Sequence, residues 1–181
     1  MNDEVAFNFK IVLIGNTGVG KTSLVNRYVT NQFRDDYIPT LGVNIMIKEL
    51  KFDKNSPKIQ LSIWDVGGQE KWARVRYMYY KGSRAALVIY DITSPKSHSL
   101  VPDLVKEYDD SVQNKNNIFM LVGNKVDLKN NRRVESKKGE EMKKKINAQK
   151  FFETSAKDGT MVEQAFNELA KALYEQEVKR K

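Results

Sequence analysis

Lys10-Ile11-Val12-Leu13-Ile14 runs without interruption into Gly15-Asn16-Thr17-Gly18-Val19-Gly20-Lys21-Thr22. The first five residues read as a buried β-strand and the next eight as a glycine-rich turn that opens a helix, the arrangement of a phosphate cradle. Backbone N–H groups of such a loop converge on an anion, and the N-terminal end of the helix adds partial positive charge. Gly15, Thr17, Gly18, Val19, Gly20, Lys21, Thr22 and Ser23 are therefore the expected phosphate-binding positions. Lys21 has the length to reach β- and γ-phosphate oxygens, and the Thr22 hydroxyl is placed for a magnesium ion. A glycine turn before an ordinary helix is the plainer alternative, and the Gly-Lys-Thr ending between strand and helix argues against it.

A chain of 181 residues suits one domain with a sizeable core. Hydrophobic residues at 40% and charged residues at 30% fit a globular protein, and no run approaches the roughly 18 apolar residues of a membrane span. Met1–Phe9 carries Asp3 and Glu4 and does not resemble a signal peptide. With no cysteine, disulfides, thiolate metal sites, prenylation and palmitoylation are all excluded for these residues. The net charge of +8 comes from 31 basic against 23 acidic residues. It is spread over Arg132-Arg133, Lys137-Lys138, Lys143–Lys145 and Lys179–Lys181, with Glu135, Glu140, Glu141 and Glu177 interleaved. No basic strand studded with aromatics accompanies it, so nucleic acid is not the expected partner, whereas anionic headgroups are compatible with it.

Short apolar runs alternate with longer amphipathic stretches, the pattern of an α/β fold with helices on both faces of a mainly parallel sheet. Strands are expected at about Phe7–Ile14, Val43–Phe52, Ile59–Trp64, Ala85–Tyr90, Ile118–Gly123 and Phe151–Glu153. Helices are expected at Lys21–Thr30, Glu70–Tyr80, Ser97–Val112, Ser136–Asn147 and Thr160–Lys179. The turn signal Asp53–Pro57 makes the second and third strands an antiparallel hairpin. Residues 1–6 are read as a short N-terminal extension and 178–181 as the basic end of the last helix. In that helix Val162, Ala165, Phe166, Leu169, Leu173 and Val178 form a core-facing stripe. His98, beside Ser97, is read as a solvated residue near a helix start.

Three further blocks carry chemistry. Asp65-Val66-Gly67-Gly68 closes the third strand, where an aspartate faces the ligand crevice and can hold water on magnesium. Gly68, lacking Cβ, can bring its N–H close to a γ-phosphate. Asn124-Lys125-Val126-Asp127 closes the fifth strand. The Asp127 carboxylate suits the N1–H and exocyclic amine of guanine, paired donors that adenine does not present on that edge. Asn124 is expected to tie loops together, and the Lys125 stem to lie along the base. Thr154-Ser155-Ala156-Lys157 is a second base-side loop, with the Ala156 N–H aimed at guanine O6. In the polar segment from Phe33 to Val43, Thr40 is a candidate second hydroxyl on magnesium; Phe33 can pack on the base, and Tyr37 lies within reach of the nucleotide.

These blocks, in this order and spacing, resemble the Ras superfamily of small GTPases along essentially the whole chain. Within it the chain is most similar to the Rab branch, through Leu41–Asn44, Ile63–Asp65, Gln69-Glu70, Tyr79–Gly82 and Tyr90–Thr93. Val66-Gly67 is instead similar to the Arf branch. Ile45 stands where Rab proteins usually carry a phenylalanine grouped with the counterparts of Trp64 and Tyr79, which argues against recognition by a typical Rab effector. The resemblance implies a P-loop NTPase (G) domain with a six-stranded mixed sheet and five helices, Thr40 in the first switch and Gln69 in the second. Gln69 matches the glutamine that orients the attacking water, so Gln69 and Lys21 are the catalytic candidates. No residue stands out as an arginine finger in cis, and the implied turnover is slow, on the order of 10⁻⁴ to 10⁻³ per second.

The expectation is thus a monomeric switch using GTP, GDP and Mg²⁺, with Thr22, Thr40 and Asp65 around the metal. An exchange factor, a GTPase-activating protein and effectors are the implied partners, reading surfaces that include Tyr37, Ile38, Leu41, Trp64, Trp72 and Tyr79. The implied location is the cytoplasm, with membrane contact through the basic end and no lipid anchor in these residues. A hydrolysis-poor GTP-binding scaffold stands as the alternative, and a P-loop ATPase or small-molecule kinase as a second.

Overall fold

In the computed structural model, residues 5–34, 40–54, 56–69, 73–113 and 116–180 are described. The strands are β1 (Val5–Ile14), β2 (Val43–Leu50), β3 (Lys58–Val66), β4 (Ala85–Asp91), β5 (Ile118–Asn124) and β6 (Lys150–Thr154). The helices are α1 (Lys21–Thr30), α2 (Ala73–Tyr80), α3 (Pro95–Ser99), α4 (Val101–Val112), α5 (Ser136–Lys145) and α6 (Val162–Val178). The sheet has the order β2-β3-β1-β4-β5-β6. Only β2 and β3 pair antiparallel, as the turn at Asp53–Pro57 predicts.

Side-chain alternation assigns each strand to two cores. Ile11 and Leu13 of β1, with Leu87 and Ile89 of β4, face Leu24 and Val25 of α1 and Phe166, Leu169 and Leu173 of α6. Val12, Ile14, Val88 and Tyr90 face the other way, toward Tyr80, Val105, Tyr108 and Met142. Every residue of β4 and β5 is buried, which explains why these strands read as continuous apolar runs. Tyr28 stacks on Phe166 with ring centroids 4.3 Å apart, joining α1 to α6.

Several boundaries differ from expectation. β1 includes Val5, which pairs with Lys58 of β3, so residues 5 and 6 belong to the sheet and not to an extension. The helix expected at Ser97–Val112 starts earlier and breaks. Ser94 caps it, its Oγ accepting from the Ser97 N–H at 3.2 Å, and Pro95 fits its first position. Pro102 then lacks the N–H that would continue the ladder, so α4 starts afresh at Val101. With that break there are six α-helices among the described residues where five are expected. Val178 is 47% exposed and drops out of the α6 stripe, and the basic Lys179 and Arg180 lie beyond the helix. His98 is half-buried rather than solvated, edge-on to Tyr90 at 5.0 Å, and burial lowers its pKa.

Candidate functional site

Gly15, Asp65, Asn124 and Thr154 stand at the carboxyl ends of β1, β3, β5 and β6, along the edge where open α/β sheets bind ligands. A cleft of about 660 Å³ opens there, bordered by Thr17, Gly18, Lys21, Thr22, Thr40, Gly68, Gln69, Lys125, Asp127, Ala156 and others. Its walls come from distant segments held together by a few polar contacts.

At one end, Lys21 is the first residue of α1 and only 6% exposed. Its Nζ donates to the carbonyls of Gly15 at 2.8 Å and Asn16 at 3.1 Å. Burial pushes its pKa down to about 8, against the attraction of Asp65. Gly20, at φ +97°, turns the loop into the helix; a Cβ there would sit 2.4 Å from Asn124 Nδ2. Gly68 lies so close to the loop that a Cβ would meet Gly15 O at 2.6 Å and Lys21 Nζ at 2.7 Å. The side chain of Val19 belongs to the core, so only its main chain faces the loop.

Beside Lys21, the Thr22 and Thr40 hydroxyls lie 2.8 Å apart, and Thr22 Oγ1 donates to Asp65 Oδ2. Asp65 is fully buried, and its Oδ1 has no hydrogen-bond partner among the described residues. Burial raises its pKa, opposed by the Thr22 hydrogen bond and by Lys21. Two hydroxyls and a carboxylate with a spare oxygen form a donor set for a hard cation that keeps phosphate oxygens and water as its other ligands. Magnesium therefore fits these residues.

The other end is built by buried amide and hydroxyl groups. Asn124, 1% exposed, donates from Nδ2 to Val19 O at 2.9 Å and accepts from Thr154 Oγ1 at 3.0 Å. Phosphate loop and both base-side loops are thereby tied together. Asn124→Ala leaves the Val19 carbonyl and Thr154 hydroxyl unsatisfied, and a loss of about 2–3 kcal/mol in stability is expected from chemical denaturation. Lys125, at φ +74°, sends Nζ to Gly18 O at 2.7 Å and to Asp91 at 2.8 Å. Ser155 is fully buried and donates from Oγ to Asp127 Oδ1 at 2.7 Å, so it orients the carboxylate rather than lining the cleft. Phe33 is half-buried at the rim; Tyr37, Ile38 and Trp72 lie outside the described residues. Of the partner-facing candidates, Leu41 is 73% exposed, and Trp64 is half-buried with Lys10 Nζ 3.6 Å from its ring centre.

A family model described as the Ras family matches residues 10–175. The chain is 39% identical to the Ras-related protein Rab-7b of Paramecium octaurelia over 93% of its own length and 82% of the relative's. It is 39% identical to GTP-binding protein YPT1 of Saccharomyces cerevisiae, covering 97% and 83%, and 40% identical to human Ras-related protein Rab-30, covering 93% and 81%. The chain belongs to the Ras family. It is a small GTPase and Rab-like, despite the Val66-Gly67 pair.

The GTPase holds its site with residues that local spacing does not reveal. Arg27 of α1 donates from Nε to Ala156 O at 2.8 Å and from a terminal nitrogen to Lys157 O at 2.5 Å, pinning the second base-side loop. Asp91 accepts from the Thr93 N–H at 2.7 Å while pairing with Lys125. Asn26, Thr30, Gln32, Arg34 and Leu128 also border the cleft. The Asp91 pairing had one legible signal, the Tyr90-Asp91-Ile92-Thr93 block itself; Arg27 had none.

Proposed function

We propose that this GTPase is a switch that binds GTP or GDP with Mg²⁺ in the cleft, slowly hydrolyses GTP to GDP and phosphate, and regulates membrane traffic as a Rab-like protein. The observation that carries this reading is the meeting, in one cleft, of a phosphate end at Lys21, Thr22 and Asp65 with a base end at Asp127 and Ser155. Thr22, Thr40 and Asp65 would hold magnesium, which would supply neutralising positive charge beside the phosphates. The chain's own part is positioning and electrostatics. Loop N–H groups from Gly15 to Gly20 and the Lys21 ammonium stabilise charge that develops on the phosphates. Gln69 orients a water whose oxygen bonds to the γ-phosphorus as the bond to the β–γ bridging oxygen breaks; the electron pair leaves with GDP and the water's protons pass to the phosphate products.

Thr40 and Gly68 flank the phosphate end, so loss of the γ-phosphate removes what holds their segments in one arrangement. Partners reading Leu41, Trp64 and Tyr79 shift the switch only through unequal affinity for its two states. The reading assigns the GTPase to the cytosolic face of a membrane. No described helix is long and apolar enough to cross one. Basic Lys179 and Arg180 follow α6 and suit an anionic surface.

Single-turnover hydrolysis of GTP by Mg²⁺-loaded protein tests the chemistry. The parent is expected to turn over at about 10⁻⁴ to 10⁻³ per second and Gln69→Leu at least about 10-fold more slowly. Equal rates would remove Gln69 from the mechanism, and no conversion at all would favour the scaffold reading.

Binding is also expected to take up protons above neutrality. Phosphates raise the Lys21 pKa from about 8, so affinity is full below pH 8 and falls as pH rises toward the bound value. Calorimetry in two buffers of different ionisation enthalpy should show proton uptake that is small at pH 7 and clearly larger at pH 8.5. Uptake that stays constant across this range would contradict the role of Lys21.

A further inference from the structure

Arg76 on α2 is only 5% exposed, and all three of its guanidinium nitrogens are engaged. Nε donates to Glu107 Oε1 at 2.7 Å and one terminal nitrogen to Glu107 Oε2 at 2.6 Å, a two-pronged pair with α4. The other terminal nitrogen donates to the main-chain carbonyl of Gln69 at 3.1 Å. Glu107 is fixed in turn. Tyr80 stands beside it, the Tyr80 ring packs on Tyr108 at 5.5 Å, and the Tyr108 hydroxyl meets Ser83 Oγ at 2.9 Å.

We infer that Arg76, clamped by Glu107, is a positioning residue for hydrolysis: it holds the Gln69 main chain so that the Gln69 side chain meets the attacking water. The inference rests on the reading of Gln69 given above. Only a planar fork satisfies a carboxylate with two parallel N–H groups while aiming a third donor elsewhere at a fixed angle; a lysine ammonium does not. Gln69 lies between the end of β3 and the start of α2, outside both elements. A displacement of about 1 Å in such a group can lower a rate about 100-fold. The clamp joins Gln69 to α4, which lies outside the nucleotide loops, so a ligand that draws Glu107 away would slow hydrolysis without touching the nucleotide.

Removing Arg76 alone strands a partly buried carboxylate, so the informative variant replaces both partners, Arg76→Met with Glu107→Met, keeping bulk and leaving no unpaired charge. Single-turnover GTP hydrolysis and GDP dissociation are measured for the parent, this double variant, Gln69→Leu, and all three substitutions combined. The expected result is hydrolysis about 10-fold slower in the double variant, GDP dissociation within twofold of the parent, and no further slowing when the pair is added to Gln69→Leu. Parental hydrolysis in the double variant, with Gln69→Leu slow, would overturn the inference and leave the Gln69 reading standing. Equal slowing in both backgrounds, or GDP dissociation accelerated in proportion, would reduce the clamp to helix packing and also overturn it. A parental rate for Gln69→Leu itself would overturn the reading and the inference together.

Discussion

Asp127→Asn is expected to lower affinity for GDP and GTP by about 10²–10⁴-fold, equivalent to about 3–5 kcal/mol, while raising affinity for xanthosine nucleotides. The carboxylate presents two acceptors to two guanine donors, and each charge-assisted hydrogen bond is worth about 1.5–3 kcal/mol. Asparagine replaces one acceptor with an NH₂ group, which faces the guanine amine as donor against donor. Xanthine carries a carbonyl at that position and restores the match. Ser155 Oγ, 2.7 Å from Asp127 Oδ1, can still donate to the amide oxygen, so the loop should keep its shape. Titration with fluorescent guanosine and xanthosine diphosphates measures both changes. Retained guanine preference in Asp127→Asn would mean that another group reads the base.

Lys21→Met separates binding from folding. The ammonium lies almost wholly within protein, and its pKa near 8 shows that burial opposes its charge more than Asp65 supports it. Keeping such a group charged at pH 7 costs about 3 kcal/mol, partly offset by its bonds to the Gly15 and Asn16 carbonyls. Methionine removes that burden, so the nucleotide-free variant should melt at or above the parent's Tm. Its nucleotide affinity should fall about 10²–10⁴-fold, because the phosphate charge then loses the Lys21 ammonium. The pH dependence differs as well. Between pH 8 and 10.5 the unfolded parent binds more protons at Lys21 than the folded one, so parental stability rises with pH there, a rise that the variant lacks. A variant markedly less stable than the parent would show that Lys21 serves the fold.

The sheet was legible because β4 is apolar on both faces up to its last residue, β5 is buried on both, the Ile11–Ile14 end of β1 is apolar throughout, and the hairpin turn stands in plain sequence. Site loops were legible for a related reason. They lie at strand ends, and each carries its chemistry within four to eight consecutive residues, as at Gly15–Thr22 and Asn124–Asp127. What local spacing does not encode is the set of bonds between loops. Arg27 to Ala156, Arg76 to Glu107 and Ser155 to Asp127 each join residues from separate elements, and any surface arginine or serine would look the same in the chain. Ser155 illustrates the difference: the sequence indicates its loop, and only the packing shows that it orients Asp127 from behind. The α3–α4 break was readable from Pro102, whose missing N–H outweighs the helical periodicity around it.

Ile45 also acquires a meaning in the fold. It is 47% exposed and directly opposite Trp64 in the β2–β3 register, so an aliphatic side chain stands beside the indole on the surface of the sheet. That surface offers a smaller side chain there than phenylalanine would.

The most direct test of the account is competition for the cleft: protein loaded with fluorescent GDP and Mg²⁺ is challenged with unlabelled GDP, GTP and ATP. Displacement by GDP and GTP at equimolar levels, with ATP ineffective at about 1,000-fold excess, is the result predicted from Asp127. Displacement by ATP at levels comparable to GTP would contradict it and make the chain a purine-indifferent phosphate binder.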